Sequence, residues 1–207
     1  MCTINKLVVS LVLCFVSSVA CASSCPDKYP NSKPVEILNT GEVCKSFFVV
    51  VYDSKMHRPL FSSQKFQPHD HSMVKRVGHF YNNPLNNIDT NSYPDGYDRG
   101  HLTPAADSIN ATQMHDTFDI INSAPQVSTF NRGQWKDLEE HVRKDLNVST
   151  WIVTGLVWGD NDRIPVAYYK VVYAPQLTAY IGNNTQHGDV SIIDIDVLEN
   201  MIGYKLH

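Results

Sequence analysis

The chain has 207 residues, with 17 Lys+Arg against 21 Asp+Glu, a formal net charge of −4 at pH 7 and 43% hydrophobic residues. This length suits one domain with a full hydrophobic core. The acidic balance argues against a protein that holds a polyanion through a generally basic body, so any chemistry on such a ligand must rest on a local site.

From the N-terminus, Lys6 precedes an apolar run from Leu7 to Ala20, broken only by Ser10, Cys14, Ser17 and Ser18, and Ala20-Cys21-Ala22 follows as a small-residue cleavage site. The pattern predicts an export signal over residues 1–22 and a single domain over 23–207, secreted or periplasmic. At roughly 14 residues the run falls short of the ~20 needed by a spanning helix. No later segment is apolar enough either, so no stable membrane association is expected. A minor alternative reads Ser18-Val19-Ala20-Cys21 as a lipoprotein processing site anchored through Cys21, although Ser18 stands where an aliphatic residue is preferred. Of the five cysteines, Cys25 and Cys44 remain after cleavage. An even pair in an exported chain predicts one disulfide, with two free buried thiols as the alternative.

Residues 23–41 read as an irregular arm. Phe47 to Tyr52 is a β-branched and aromatic run and predicts a buried strand, with a polar turn from Asp53 to Pro59 and a partner strand beginning at Leu60-Phe61. Residues 65–92 read as loop. Ala111 to Phe118 has helical character, and Ile120-Ile121 ends near Pro125. Trp135, Leu138, Val142 and Leu146 fall on one helical stripe within 134–146. Strands are expected at 151–154, ending at Gly155, then at 166–173 and 177–181, with a short helix at 197–202. Strands outnumber helices and no βαβ alternation appears, which predicts an α+β fold with a mainly antiparallel central sheet flanked by helices.

The segment that carries chemistry is Asp98-Arg99-Gly100-His101. Average residue usage produces this tetrapeptide by chance in under about one per cent of chains this long. Histidine is suited to take a proton from water near neutral pH. An arginine two residues away lies on the same face of a strand and can clamp a phosphate oxygen. Further on come Asn122-Ser123-Ala124-Pro125-Gln126, then Asn131-Arg132-Gly133-Gln134-Trp135, then Leu138-Glu139 and Arg143. Taken singly these have ordinary explanations: Asn131 as a helix N-cap, and Glu139 with Arg143 as a surface ion pair four residues apart.

Together, in this order and spacing, the motifs resemble the DNA/RNA non-specific endonuclease family with its ββα-metal core, in an exported bacterial branch that shares the Cys25 and Cys44 arm. The likeness spans most of the mature chain. It implies a metal-dependent, sequence-nonspecific endonuclease that cuts DNA and RNA and leaves 5′-phosphate ends. It also implies roles: His101 as general base, Asn131 as direct metal ligand, Glu139 ordering metal-bound water, Arg99 and Arg143 facing phosphate, and Asn122 as a polar residue beside the site. Mg²⁺ is the expected ion, with Mn²⁺ or another divalent ion as alternatives. A phosphodiesterase acting on small nucleotides and a non-catalytic nucleic-acid-binding module are the competing functions. Two decoys are set aside. His69-Asp70-His71 lacks a third zinc ligand nearby. Gly159-Asp160-Asn161-Asp162-Arg163 lacks the spaced oxygens and terminal Glu of a calcium loop, so it reads as a hairpin turn.

Overall fold

The computed structural model describes residues 23–69, 74–82, 93–160 and 163–206. The expected export signal lies outside them. Seven strands form one antiparallel sheet in the order β1-β2-β3-β6-β7-β8-β9. They are β1 (Thr40–Cys44), β2 (Phe48–Asp53), β3 (Arg58–Phe66), β6 (Thr150–Trp158), β7 (Pro165–Val172), β8 (Thr178–Asn183) and β9 (Val190–Ile193). A separate antiparallel ribbon joins β4 (Tyr97–His101) to β5 (Ser123–Val127). The helices are α1 (Ala111–Thr117), α2 (Ser128–Phe130), α3 (Lys136–Asp145) and α4 (Ile195–Ile202), with a π-helical stretch, Asn131–Trp135, joining α2 to α3. The architecture is the expected α+β one.

Alternation along the strands assigns their side chains to two cores. Val49, Val51, Phe61, Val153, Tyr169 and Val171 face one side, where they meet Leu198 of α4 and Tyr29 of the N-terminal arm. Ile152, Leu156, Tyr168 and Val172 face the other, against the ribbon and the helical segment through Leu102, Val127, Phe130, Trp135, Leu138 and Val142. Because both faces are covered, Phe48 to Val51 reads as an unbroken apolar run rather than as an alternating one. The stripe expected on 134–146 is the buried face of this helix. The arm is held down by a Cys25–Cys44 disulfide, by the Tyr29 hydroxyl donating to Glu42 Oε1 (2.5 Å) and by Ser63 Oγ donating to the Lys28 carbonyl (2.7 Å).

The structure departs from the sequence expectations at several places. The strand from 150 does not end at Gly155 but runs on to Trp158. A Cβ at Gly155 would lie 2.2 Å from the Tyr169 hydroxyl, so this glycine admits a crossing aromatic ring rather than a chain break. Part of the expected loop at 65–92 belongs to β3, which extends to Phe66. Strand β5 contains Pro125, which pairs with Arg99; a two-stranded ribbon has an unpaired side on which the missing N–H costs nothing. The edge strands β1 and β9 are short and partly polar, so neither stood out as an apolar run.

The ribbon is pinned onto the sheet by polar side chains. Asn184 Nδ2 donates to the carbonyls of Pro125 (3.0 Å) and Pro165 (2.9 Å), and its Oδ1 accepts from Val127 N–H (2.8 Å). The Tyr168 hydroxyl donates to the Ala124 carbonyl (3.0 Å). This fixes β5 on the sheet and, through their pairing, β4 with the Asp98 to His101 motif. The Gly159 to Arg163 segment connects the paired strands β6 and β7, as a hairpin turn must; Asn161 and Asp162 lie outside the described residues. Asp70 and His71 do too, and the His69 ring contacts the Gln67 carbonyl at 2.9 Å.

Candidate active site

A pocket of about 800 Å³ is lined by the ribbon, the turn before β4, residues Arg76 and Phe80, and the helical segment from Asn131. It gathers Arg99, His101, Asn131, Glu139 and Arg143 in one place. Arg99 and His101 are two apart on β4, as expected for residues on one strand face. Gly100 between them is buried, and a Cβ there would lie 2.2 Å from Gln126 Oε1. The glycine is required by close packing between β4 and β5, not by flexibility.

The His101 ring lies between Phe80 (centroids 4.8 Å apart) and Phe118 (5.3 Å). Its Nε2 is buried and has no hydrogen-bond partner among the described residues. Burial, followed by the nearby Arg76 charge, lowers its pKa to about 3. The imidazole is therefore neutral between about pH 5 and 8, where an ordinary histidine titrates. The Arg99 guanidinium lies over both the Phe80 ring (5.9 Å) and the Tyr93 ring (5.7 Å), which favours a fixed cation at the pocket wall.

The alternative of Asn131 as an N-cap does not hold: it has αR geometry at the end of the short helix that starts at Ser128, ahead of a kink at Gly133 (φ −108°, ψ −113°). Its Nδ2 donates to Asp98 Oδ2 (2.8 Å). Asp98 also accepts from Ser128 Oγ (3.0 Å), Arg132 Nε (2.8 Å) and Arg132 Nη2 (2.5 Å). Burial works against the Asp98 charge, but the bonds from Arg132, Asn131 and Ser128 outweigh it and hold the carboxyl below the usual carboxylate range. With its amide nitrogen fixed in this way, Asn131 has a carbonyl oxygen left to offer a ligand.

Glu139 and Arg143 do not form the surface pair considered from their spacing. Arg143 Nη1 donates to Asp107 Oδ1 at 2.9 Å, with side-chain exposures of only 10% and 3%. Asp107 also accepts from Gln64 Nε2 (2.6 Å). The Glu139 side chain borders the pocket, yet burial raises its pKa to about 7, partly offset by Lys170 and then Arg143. Lys170 is fully buried on β7, donates to Thr154 Oγ1 (2.6 Å) and lies over the Trp135 ring (5.6 Å). Burial lowers its pKa, while Glu139 and Asp107 oppose that shift.

Asn122 is not at the pocket. It is 0% exposed, its Nδ2 donates to the carbonyls of Thr103 (2.9 Å) and Thr117 (3.0 Å), and its Oδ1 accepts from Thr103 N–H (2.9 Å). It ties the chain leaving β4 to the chain entering β5 and, buried and outside the pocket lining, is closed off from a substrate there. Conversely, Arg76, Phe80, Asp107 and Lys170 take part in the site or its support, and none of them was expected from the sequence as a site residue. A single lysine inside an apolar strand was a readable signal for Lys170. Arg76 and Phe80 sit in a segment without periodicity and offered none.

The donor set fits a hard cation. The Asn131 carbonyl and the Glu139 carboxylate are oxygen donors that border one pocket, as suits Mg²⁺ or a similar ion that keeps most of its own water. Among the described residues, ligand atoms of three His, Cys, Asp or Glu residues converge at Cys25, Glu42 and Cys44, but the two sulfurs there are joined as a disulfide.

Residues 31–207 match the family model described as DNA/RNA non-specific endonuclease. A salivary endonuclease of Lutzomyia longipalpis is 29% identical over 130 residues, covering 52% of this chain and 30% of that protein. Nuclease C1 of Cunninghamella echinulata var. echinulata is 37% identical over 103 residues, covering 39% and 40%. Mitochondrial endonuclease G of Caenorhabditis elegans is 33% identical over 98 residues, covering 37% and 32%. The alignments thus take in 30% to 40% of these relatives' own length. In the crystal structure of the EndoG/EndoGI complex, a chain superposes with a TM-score of 0.62 at 21% identity, covering 79% of this chain and 84% of that one. At that identity the likeness is one of fold.

Proposed function

The chain belongs to the DNA/RNA non-specific endonuclease family, and from that premise we propose that it is a divalent-metal-dependent endonuclease that hydrolyses DNA and RNA without sequence preference and leaves 5′-phosphate ends. The observation that carries the reading is the meeting in one pocket of a neutral histidine, His101, with the oxygen donors of Asn131 and Glu139. His101 takes a proton from the attacking water onto a ring nitrogen. Arg99, with Arg76 lining the same pocket, faces the phosphate oxygens and favours the crowded, more negative transition state. Asn131 and Glu139 would hold Mg²⁺, or Mn²⁺, which when bound supplies charge stabilisation at the leaving oxygen. Arg143, tied to Asp107, supports Glu139 from within. Contacts to the backbone rather than to base edges leave the sequence unread.

Export is part of the same reading. Residues 1–22 act as the signal and 23–207 as the mature domain, and the Cys25–Cys44 disulfide suits an oxidising compartment. No described helix is long and apolar enough to cross a membrane.

The test of function is incubation of the purified protein with plasmid, RNA and bis(p-nitrophenyl) phosphate at fixed free Mg²⁺, with end-group analysis of the products. Cleavage of both polymers to 5′-phosphate ends is expected. Turnover of the small diester alone would replace this function with a small-nucleotide phosphodiesterase.

The ionisation states define a pH profile. His101 is already in its base form well below neutrality, so the acid limb belongs to Glu139, whose carboxyl gains its charge as pH rises through about 7. At low free Mg²⁺ the rate rises through that region. More Mg²⁺ shifts the limb to lower pH, because ion and proton compete for one carboxylate. A limb that stays in place across a Mg²⁺ series would remove Glu139 from the ion's surroundings.

Asp98→Ala tests the support of Asn131. Losing the acceptor that fixes the Asn131 amide is expected to cost about 10–100-fold in metal affinity or activity, as for other groups that orient a ligand. The Mg²⁺ concentration for half-maximal rate should rise accordingly, and an unaltered value would show that the Asp98–Asn131 bond does not position the ligand.

A further inference from the structure

We propose that Arg132 and Lys136 form a second phosphate subsite at the mouth of the pocket, which takes the phosphate next to the scissile one and thereby selects polymeric nucleic acid over isolated phosphodiesters. This rests on the nuclease function proposed above and adds the substrate class that the same pocket favours.

Both residues line the pocket, with side chains 73% and 58% exposed. Arg143, deeper in, is 10% exposed and bonded to Asp107. Arg132 and Lys136 lie on either side of the Gly133 kink, and both side chains border the same pocket. Arg132 directly follows Asn131, and Lys136 opens α3 on the far side of the kink. Exposed at the border of the pocket that holds Asn131, the two side chains stand outward of the reacting centre, where the neighbouring linkage of a bound strand would pass.

The Arg132 guanidinium is already oriented. Two of its donors, on Nε and Nη2, are bonded to Asp98, and an arginine carries five N–H groups in one plane, so three remain in a fixed fork. Fixing the plane in advance lowers the entropy lost when a phosphate binds. The same bonds offset the charge of Asp98, which would otherwise repel a phosphate. Lys136 Nζ lies 3.3 Å from Glu140 Oε1 in an exposed pair, and Lys144 Nζ lies 3.8 Å from Glu140 Oε2. Such surface pairs are weak, so Lys136 can turn to a phosphate while Lys144 keeps company with Glu140. Asp95 is the other exposed acid bordering the pocket. In a chain of net charge −4, the protein as a whole supplies no attraction for a polyanion, so the contribution of this pair is short-range donation to a phosphate already at the mouth. Bis(p-nitrophenyl) phosphate has no second phosphate and makes no use of the pair.

The decisive variants are Lys136→Ala and Lys136→Glu, because Arg132→Ala would also release Asp98 and disturb Asn131. The quantity read is kcat/KM for linear DNA divided by kcat/KM for bis(p-nitrophenyl) phosphate, over a salt series at fixed free Mg²⁺. The ratio is expected to fall by about three- to tenfold in Lys136→Ala and further in Lys136→Glu, through KM. The log–log salt slope on duplex DNA is expected to flatten by about 0.9 for each phosphate that the variant no longer neutralises. A wild-type ratio and slope in both variants would overturn the subsite while active wild-type protein upholds the nuclease function. Wild-type protein that cleaves neither substrate would overturn the nuclease function itself, and the subsite with it.

Discussion

Replacing His101 with alanine is expected to lower the cleavage rate by about 10²–10⁴-fold, the usual contribution of a positioned general base, while the fold stays intact. The ring packs against Phe80 and Phe118 but belongs to a pocket wall, so its removal enlarges the pocket rather than opening a void within either core. Burial holds the imidazole neutral, and no described side chain accepts from or donates to its Nε2; the ring serves no structural hydrogen bond through that atom. Rates on plasmid at saturating Mg²⁺, taken with a thermal melt of the same sample, separate lost chemistry from lost structure. A variant that melts like the wild type and cuts like it would remove His101 as the base.

The second large effect concerns stability. Asp107→Ala leaves the Arg143 guanidinium and the Gln64 amide without their common acceptor in a site that is nearly closed to water. Removing one partner of a buried ion pair typically costs about 3–5 kcal/mol. For a domain of this size that corresponds to a fall in Tm of roughly 6–20 °C. The remaining Arg143 charge would also draw the Glu139 carboxyl toward ionisation, since Asp107 now opposes it. A melting curve settles the matter: a Tm close to that of the wild type would show that Arg143 finds another partner at little cost.

The parts of the fold legible in the sequence were those with a period or a strong local preference. Phe47 to Tyr52 and the stripe of Trp135, Leu138, Val142 and Leu146 are buried faces of a strand and a helix, and their patterns follow from that burial. Strand β5 was hidden because Pro125 reads as a stop, and only pairing with β4 shows why it is tolerated. Gly155 read as an end for a similar reason, since nothing local reveals that Tyr169 crosses it. At the site, the residues named from motifs reach one pocket except Asn122, whose side chain is consumed in holding two chain segments together. A motif records that a residue matters to a fold and its chemistry without separating the two, and Asn122 serves the fold. Asn131 shows the converse: its position before a helical stripe suggested capping, whereas it closes a separate short helix ahead of the Gly133 kink and gives its amide to Asp98. The supporting charges Arg76 and Asp107 depend on long-range packing, which single-sequence patterns do not carry, whereas Lys170 stands out as a lone lysine in an apolar strand.

The most direct test of the central claim is nicking of supercoiled plasmid by the purified oxidised protein in Mg²⁺, after addition of excess EDTA, and after Mg²⁺ is restored. The account predicts nicking, its loss on chelation and its return with the ion. Nicking that continues undiminished in EDTA would contradict a site in which Asn131 and Glu139 act through a divalent ion.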